Sequence, residues 1–130
     1  MKKVTGIGGV FFKAHDPGSL REWYRKHLGL DMQEWGTYFD WIDPARPDAA
    51  AKARTVWSAF DAGTDYFEPS KSSFMINYRV ENLEQLLDQL REEGVTVVGK
   101  VEDYPYGKFG WILDAEGNKV ELWEPKDDGF

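Results

Sequence analysis

One pattern of strand, helix and further strands occurs twice in this chain, and it limits the folds that the chain can adopt. Residues 8–17 alternate in hydrophobicity, break at a turn and lead into a helix, and residues 74–83 repeat that layout. Two units of this size cannot bury their own apolar faces, so they must share one core. We therefore expect a site on the inward face between the two units.

The first unit, residues 1–62, predicts one helix and four strands. Ser19 and Glu22 have the spacing of a capping box, and Gly29 is placed to end the helix. A polar loop is expected at 43–53 because that segment is rich in proline and charge. The strands are predicted at 4–13, 31–35, 37–42 and 54–60.

The composition of residues 61–73 predicts a loop that connects the two units. The second unit spans residues 72–126. Asn82 is expected to cap the second helix together with Gln85. Four leucines then recur at helical spacing and predict one buried helix face: Leu83, Leu86, Leu87 and Leu90. The strands are predicted at 74–80, 95–101, 109–113 and 119–123.

This order of elements predicts a single α+β domain over residues 1–130, with two tandem βαβββ modules forming a curved mixed sheet around a cavity. Cysteine is absent from the sequence, which excludes thiolate chemistry and disulfides. The net charge of −7 disfavours binding to nucleic acid. No apolar run is long enough for a signal peptide or a membrane span, so we expect a cytoplasmic protein without a membrane partner.

Two segments carry a resemblance to a known family. Residues 23–30 end a helix with Leu-Gly-Leu, and residues 114–122 read Asp-Ala-Glu-Gly-Asn-Lys-Val-Glu-Leu. With the leucine-rich second helix and the order of elements, the chain resembles the vicinal oxygen chelate superfamily. That group includes glyoxalase I, bleomycin-resistance proteins and extradiol dioxygenases. The fold hosts many chemistries, so the resemblance predicts the fold more narrowly than the activity.

The resemblance implies four inward-facing positions that hold a divalent metal in metal-using members. By counting from the helix starts, three of these positions fall on or near Gly9, Trp57 and Met75, and the fourth falls on Glu121. Glycine has no donor atom, the tryptophan side chain offers only N–H, and the sulfur of methionine is a soft ligand. We therefore expect no metal and no other cofactor.

Alternation along the strands predicts which side chains face the cavity. Four apolar residues are expected to surround a few polar ones: Phe11, Trp57, Met75 and Trp123 around Asn77, Arg79 and Glu121. An apolar pocket with a few polar groups is the usual form of a small-molecule site. Two alternatives remain open at this point. The bulky side chains can fill the space instead, and Arg79 can pair with Glu121 and neutralise it.

Three functions are compatible with these residues. The first is a metal-independent protein of the bleomycin-resistance type, a homodimer that binds a small, partly aromatic or cationic molecule. The second is a lyase, isomerase or dioxygenase of the same superfamily, using a metal or Glu121 alone as catalytic base. The third is an interaction module whose cavity is filled. The acidic balance and the missing metal ligands favour the first function.

Overall fold

The computed structural model describes residues 3–42 and 52–126. Within them lie two helices and seven strands: β1 (Val4–Ala14), α1 (Pro17–Leu28), β2 (Thr37–Ile42), β3 (Lys52–Asp61), β4 (Phe74–Val80), α2 (Leu83–Glu92), β5 (Val97–Tyr104), β6 (Gly107–Leu113) and β7 (Lys119–Pro125). The predicted polar loop at 43–53 lies outside the described residues except for its last two positions. No helix in the described part of the chain has the length and apolar character that crossing a bilayer requires.

The strands form one mixed sheet in the order β2-β3-β1-β4-β7-β6-β5. The two modules meet at its centre, where β1 pairs antiparallel with β4. On either side of that seam, β1 pairs parallel with β3, and β4 pairs parallel with β7. The predicted α+β fold with a mixed sheet of two tandem modules is confirmed.

The strand predicted at 31–35 is wrong. In the described residues, this segment contains only an isolated bridge between Gln33 and Gly36. The two residues bond to each other in both directions, with N–H to carbonyl distances of 2.7 and 3.2 Å. Gly36 has φ = 131°, a backbone conformation that side chains disfavour. These mutual bonds close a tight turn, and the chain enters β2 without forming an additional strand.

Helix α1 begins three residues earlier than predicted, because Asp16 and not Ser19 is its N-cap. The Asp16 carboxylate accepts from the Ser19 backbone N–H at 3.0 Å and from the Ser19 hydroxyl at 2.8 Å. Pro17 occupies the first turn, where a missing N–H costs nothing. Glu22 pairs with Arg25 and does not reach back to a cap. Gly29 ends the helix at φ = 70°, as predicted.

Helix α2 covers the sheet with the predicted leucine face. Leu83, Leu86 and Leu87 are buried and pack with Val80 and Leu122. Burial of such side chains stabilises the fold by about 1.5–3 kcal/mol each.

Asn82 is the N-cap residue of α2, but its side chain donates to Gln85 at 2.9 Å and makes no bond to the helix backbone. The first helical N–H, that of Leu83, is instead bonded by the carboxylate of Glu124 at 2.8 Å. A residue near the end of β7 therefore caps α2.

Helix α1 packs more loosely, since none of its residues is fully buried. Its main support is Trp57, whose ring centroid lies 4.9 Å from Tyr24 and 5.0 Å from Phe12. In the ladder, Trp57 is paired with Val10, on the side of the sheet that faces the helix. The prediction that Trp57 lines the inner cavity is therefore wrong. Alternation along β3 alone does not determine how that strand is paired with β1.

Candidate functional site

The centre of the sheet brings Glu121 and Asn77 side by side. Glu121 on β7 pairs with Asn77 on β4, and Asn77 pairs in turn with Gly9 on β1. Both polar side chains are almost completely buried, with 2% and 1% of their surfaces exposed. Met75 pairs with Phe11, two residues away from Asn77 along β4. The β4 residue opposite Glu121 is therefore Asn77, and Met75 lies two residues away.

Three hydrogen-bond donors surround the Glu121 carboxylate. The Tyr66 hydroxyl and the Trp111 indole N–H both donate to Oε1, the indole at 3.0 Å. The Asn77 amide donates to Oε2 at 2.6 Å. The site therefore contains a buried acid whose oxygens are engaged by N–H and O–H groups from the connector, β6 and β4.

Sequence reasoning did not identify Tyr66 and Trp111 as partners of Glu121. The sequence contains a signal for the contact of Trp111 with Glu121 but none for that of Tyr66. Trp111 is paired with Glu121 in the β6–β7 hairpin, so counting the hairpin register would have placed it there. Tyr66 lies in the connector, 55 residues before Glu121 along the chain, and no local pattern indicates that contact.

Burial decides the protonation behaviour of this cluster. Burial raises the pKa of Glu121 above its ordinary value, while the bonds from Tyr66, Asn77 and Trp111 and the charge of Lys119 lower it. Burial also raises the pKa of Tyr66, and the Glu121 charge raises it further. Tyr66 therefore stays protonated as a donor at neutral pH. For Lys119, burial lowers the pKa, and nearby carboxylates raise it to a smaller extent.

Part of the inner face is filled by side chains. Phe67 from the connector and Met75 from β4 are fully buried together with Trp111. Phe11 joins them through a ring contact of 5.6 Å with Phe60. The alternative of a filled cavity therefore holds for this portion of the inner face, and Phe11 and Met75 are packing residues there.

A pocket of about 300 Å³ opens beside the filled portion. Its wall includes the rings of Tyr66 and Trp111, both of which donate to Glu121. Charged groups of both signs complete the lining: Asp65, Glu102, Lys100 and Lys119. This volume is at the lower end of the range for small-molecule sites.

Arg79 and Trp123 lie together on the other side of Asn77. The Arg79 guanidinium lies 5.3 Å from the Trp123 ring centroid and 5.7 Å from that of Trp41. A Cβ atom at Gly8 would overlap the Asn77 Oδ1 atom and lie 2.8 Å from the Trp123 ring. Glycine at this position therefore allows the rings and the amide to approach β1 closely.

The residues around Glu121 do not fit a divalent metal ion. Across 3–42 and 52–126, no group of three or more histidine, cysteine, aspartate or glutamate side chains is placed to hold one. Glu121 is the one carboxylate of its cluster, and its neighbours Tyr66, Asn77 and Trp111 offer it N–H and O–H groups. Gly9 contributes no ligand atom. We therefore derive no step through a metal.

A family model described as "Glyoxalase-like domain" matches residues 9–123, which is most of the chain. The chain belongs to this glyoxalase-like family. That assignment places it in the vicinal oxygen chelate superfamily, as the sequence motifs indicated. No curated protein matches the chain by sequence.

Solved structures of the same fold include two methylmalonyl-CoA epimerases. The protein from Mycobacterium tuberculosis is 22% identical, with a TM-score of 0.61 over 97% of this chain and 91% of that one. An epimerase in complex with methylmalonyl-CoA and NH4+ is 14% identical, with a TM-score of 0.69 over 97% and 98%. A Legionella pneumophila structure described as NAD-dependent benzaldehyde dehydrogenase is 13% identical, with a TM-score of 0.56 over 91% and 98%. At these identities the likeness shows the fold alone.

Proposed function

We propose that this chain binds a small, partly aromatic organic cation on the inner face beside Glu121, without a metal ion. The observation that carries the proposal is the buried Glu121 carboxylate, held by three donors next to an open pocket. A buried carboxylate attracts a positive charge strongly, because little water screens it. The Tyr66 and Trp111 rings supply faces against which a flat or ammonium group can pack.

The charges of the pocket support a cationic ligand. Asp65 and Glu102 line it and Glu121 lies behind it, against the two cations Lys100 and Lys119. The net charge of the whole chain is −7, which also favours the approach of cations. A ligand with an ammonium group and an aromatic body matches both the charges and the rings.

Binding can be measured by tryptophan fluorescence and thermal shift with a panel of proflavine, ethidium and benzyltrimethylammonium. At least one of these compounds should quench the tryptophan fluorescence of the wild-type protein and raise its melting temperature. Glu121→Gln should weaken that binding about tenfold or more, since it removes the buried charge. Glu116→Gln, in an exposed turn, is the matched control and should bind as wild type does. Absence of binding across the panel, or equal binding by Glu121→Gln, would contradict the proposal.

A second candidate is proton transfer by Glu121, as in an isomerase or epimerase. The observation that favours it is the position of the Glu121 carboxyl behind the Tyr66 and Trp111 wall of the pocket, together with a pKa that burial raises above its ordinary value. The structurally similar methylmalonyl-CoA epimerases provide a first substrate to try. Exchange of the acidic C–H of methylmalonyl-CoA in D2O, followed by NMR, tests it. Exchange that Glu121→Gln does not slow would rule out this role.

We also propose a homodimer formed through the loosely packed side of module one. Trp23 and Leu28 on α1 are 51% and 60% exposed, and a cleft of about 630 Å³ lies between α1 and the end of β1. Exposed apolar groups of this size are typical of interfaces. Sedimentation equilibrium should give a molar mass of twice that of the chain. Trp23→Glu should lower the measured mass to that of a single chain. A wild-type monomer at high micromolar concentration would refute the dimer.

A further inference from the structure

The ammonium group of Lys119 lies in a corner formed by two aromatic rings. Its Nζ atom is 5.1 Å from the Tyr66 ring centroid and 5.6 Å from that of Trp111. The two rings stand nearly perpendicular, at 88°, with centroids 6.3 Å apart. Perpendicular rings that share one cation form two walls of an aromatic cage, the arrangement that proteins use to hold organic ammonium ions.

The charges around this corner also favour a cation. The carboxylates of Glu121 on β7, Glu102 on β5 and Asp65 in the connector all raise the pKa of Lys119, and burial, the larger effect, lowers it. Lys100 on β5 is the other cation in the wall of the pocket. Two ring faces therefore contact the Lys119 ammonium, and the charges of three carboxylates act on it.

Lys119 is tethered to this corner by one direct hydrogen bond. Its Nζ donates to the Tyr66 backbone carbonyl at 2.7 Å. The side chain is only partly buried, so its flexible four-carbon stem can swing toward solvent without unpacking the core. The ammonium group can thus leave the corner while Tyr66 and Trp111 stay bonded to Glu121.

The neighbouring strand keeps the corner accessible. The β5–β6 ladder is irregular between Val98 and Glu102, and Gly99 has φ = 71° there. Both Gly99 and Lys100 line the pocket. Bulges of this kind bend an edge strand and are frequent beside functional sites. The pocket is therefore open at the edge of the sheet, next to the ring of Trp111.

We infer that the corner of Tyr66 and Trp111 is an ammonium-binding subsite, and that Lys119 occupies it when no ligand is bound. A ligand's primary, methylated or quaternary ammonium group replaces the Lys119 ammonium between the same two rings. Lys119 thus acts as an internal competitor that sets the affinity for cations. This inference rests on the proposed binding of organic cations and assigns the group of the ligand that enters the corner.

Removal of the internal competitor tests the inference. Benzyltrimethylammonium, whose charge does not change with pH, is titrated into wild-type protein and variants by isothermal titration calorimetry. Lys119→Met should bind it about tenfold or more tightly than wild type, because the vacated corner keeps its rings and carboxylates. Lys119→Arg, which retains a cation, should bind no better than wild type. Lys26→Met, on the exposed end of α1, is the charge-matched control and should equal wild type.

A second arm needs no substitution. Burial lowers the pKa of Lys119, so its ammonium loses its charge at lower pH than an ordinary lysine. The affinity of wild type for benzyltrimethylammonium should therefore rise between pH 7 and 10 more steeply than that of Lys119→Met. Asp65, Glu102, Glu121 and Lys100 are present in both proteins, so the comparison with Lys119→Met removes their contribution to the pH dependence. Tyr66 stays protonated over this range because its pKa is raised.

The outcomes separate this inference from the proposed function. Equal affinities of wild type and Lys119→Met overturn the inference, while the binding itself upholds the proposed function. An equal gain in Lys100→Met also overturns it, since the gain would then come from removing a positive charge from the pocket wall and not from emptying the corner. Absence of binding by every protein, with cooperative thermal melting intact, overturns both. Lys119→Gln replaces Lys119→Met if the latter fails to fold.

Discussion

Substitution of Glu121 should have opposite consequences for stability according to what replaces it. Glu121→Ala removes the acceptor for Tyr66, Asn77 and Trp111 at once. An unsatisfied buried donor costs about 1–3 kcal/mol. Two of these donors, the nitrogens of Asn77 and Trp111, belong to buried residues. The lost methylene and carboxyl groups also leave a cavity. We expect the free energy of unfolding to fall by about 3–6 kcal/mol.

Glu121→Gln should be tolerated, because its amide can satisfy the same neighbours. The glutamine carbonyl accepts from Tyr66 and Trp111, and its NH2 group can donate to Asn77 Oδ1 once that amide turns over. Among the described residues, Asn77 Oδ1 is a buried oxygen without a hydrogen-bond partner. The exchange therefore removes a buried charge while each neighbour of residue 121 keeps a hydrogen bond to it.

The pH dependence of stability separates the charge from the hydrogen bonds. Because burial raises the pKa of Glu121, the stabilisation from its protonated form is complete below the unfolded value of 4.5. Stability is lost as pH rises from there to the folded pKa, by about 1.4 kcal/mol per pH unit. Glu121→Gln lacks this loss, so its stability relative to wild type should increase with pH over that window.

Urea denaturation followed by tryptophan fluorescence, at half-unit steps from pH 4 to 9, measures both effects. Parallel curves for wild type and Glu121→Gln would show that the carboxyl does not titrate abnormally. A loss below about 1 kcal/mol in Glu121→Ala would show that the three donors find other partners, since a single lost bond costs about that much. Either result would refute the description of Glu121 as a buried, fully engaged acid.

Three further substitutions test the packing that positions the site. Leu87→Ala, at a side chain 2% exposed under α2, should lower the free energy of unfolding by about 2–5 kcal/mol in urea. Gly8→Ala places a Cβ atom 2.8 Å from the Trp123 ring and should cost about 1–3 kcal/mol by the same assay. Glu124→Ala removes the bond to the Leu83 N–H and should cost about 1 kcal/mol, seen as faster amide exchange in the first turn of α2. A change within experimental error in any of them would contradict the corresponding contact.

The sequence was sufficient for the parts of the fold that rest on local periodicity. The leucine spacing of α2 predicted its buried face, and the duplicated layout predicted a mixed sheet of two modules. Alternation along β4 and β7 also placed Asn77 and Glu121 together, because both strands are regular and pair in register. These features depend on neighbours in sequence, where side-chain direction follows directly from the element type.

The remaining features depend on contacts between distant segments. Trp57 was assigned to the wrong side of the sheet because alternation along β3 alone does not fix its pairing with β1, in which Val10 and not Gly9 is the partner of Trp57. Tyr66 and Phe67 reach the inner face from an irregular connector, which has no periodicity from which to infer direction. The corner of rings around Lys119 forms because Tyr66 of that connector lies against β7.

Calorimetric titration of chelator-treated protein with Mn2+, Co2+, Ni2+ and Zn2+, in wild type and Glu121→Gln, distinguishes an organic-cation site from a metal site. Glu121, engaged by Tyr66, Asn77 and Trp111, is described here as the acid of an organic-cation site and not as a metal ligand. We expect that no metal gives a binding heat that depends on Glu121. One equivalent of any of these ions bound by wild type and lost in Glu121→Gln would contradict it.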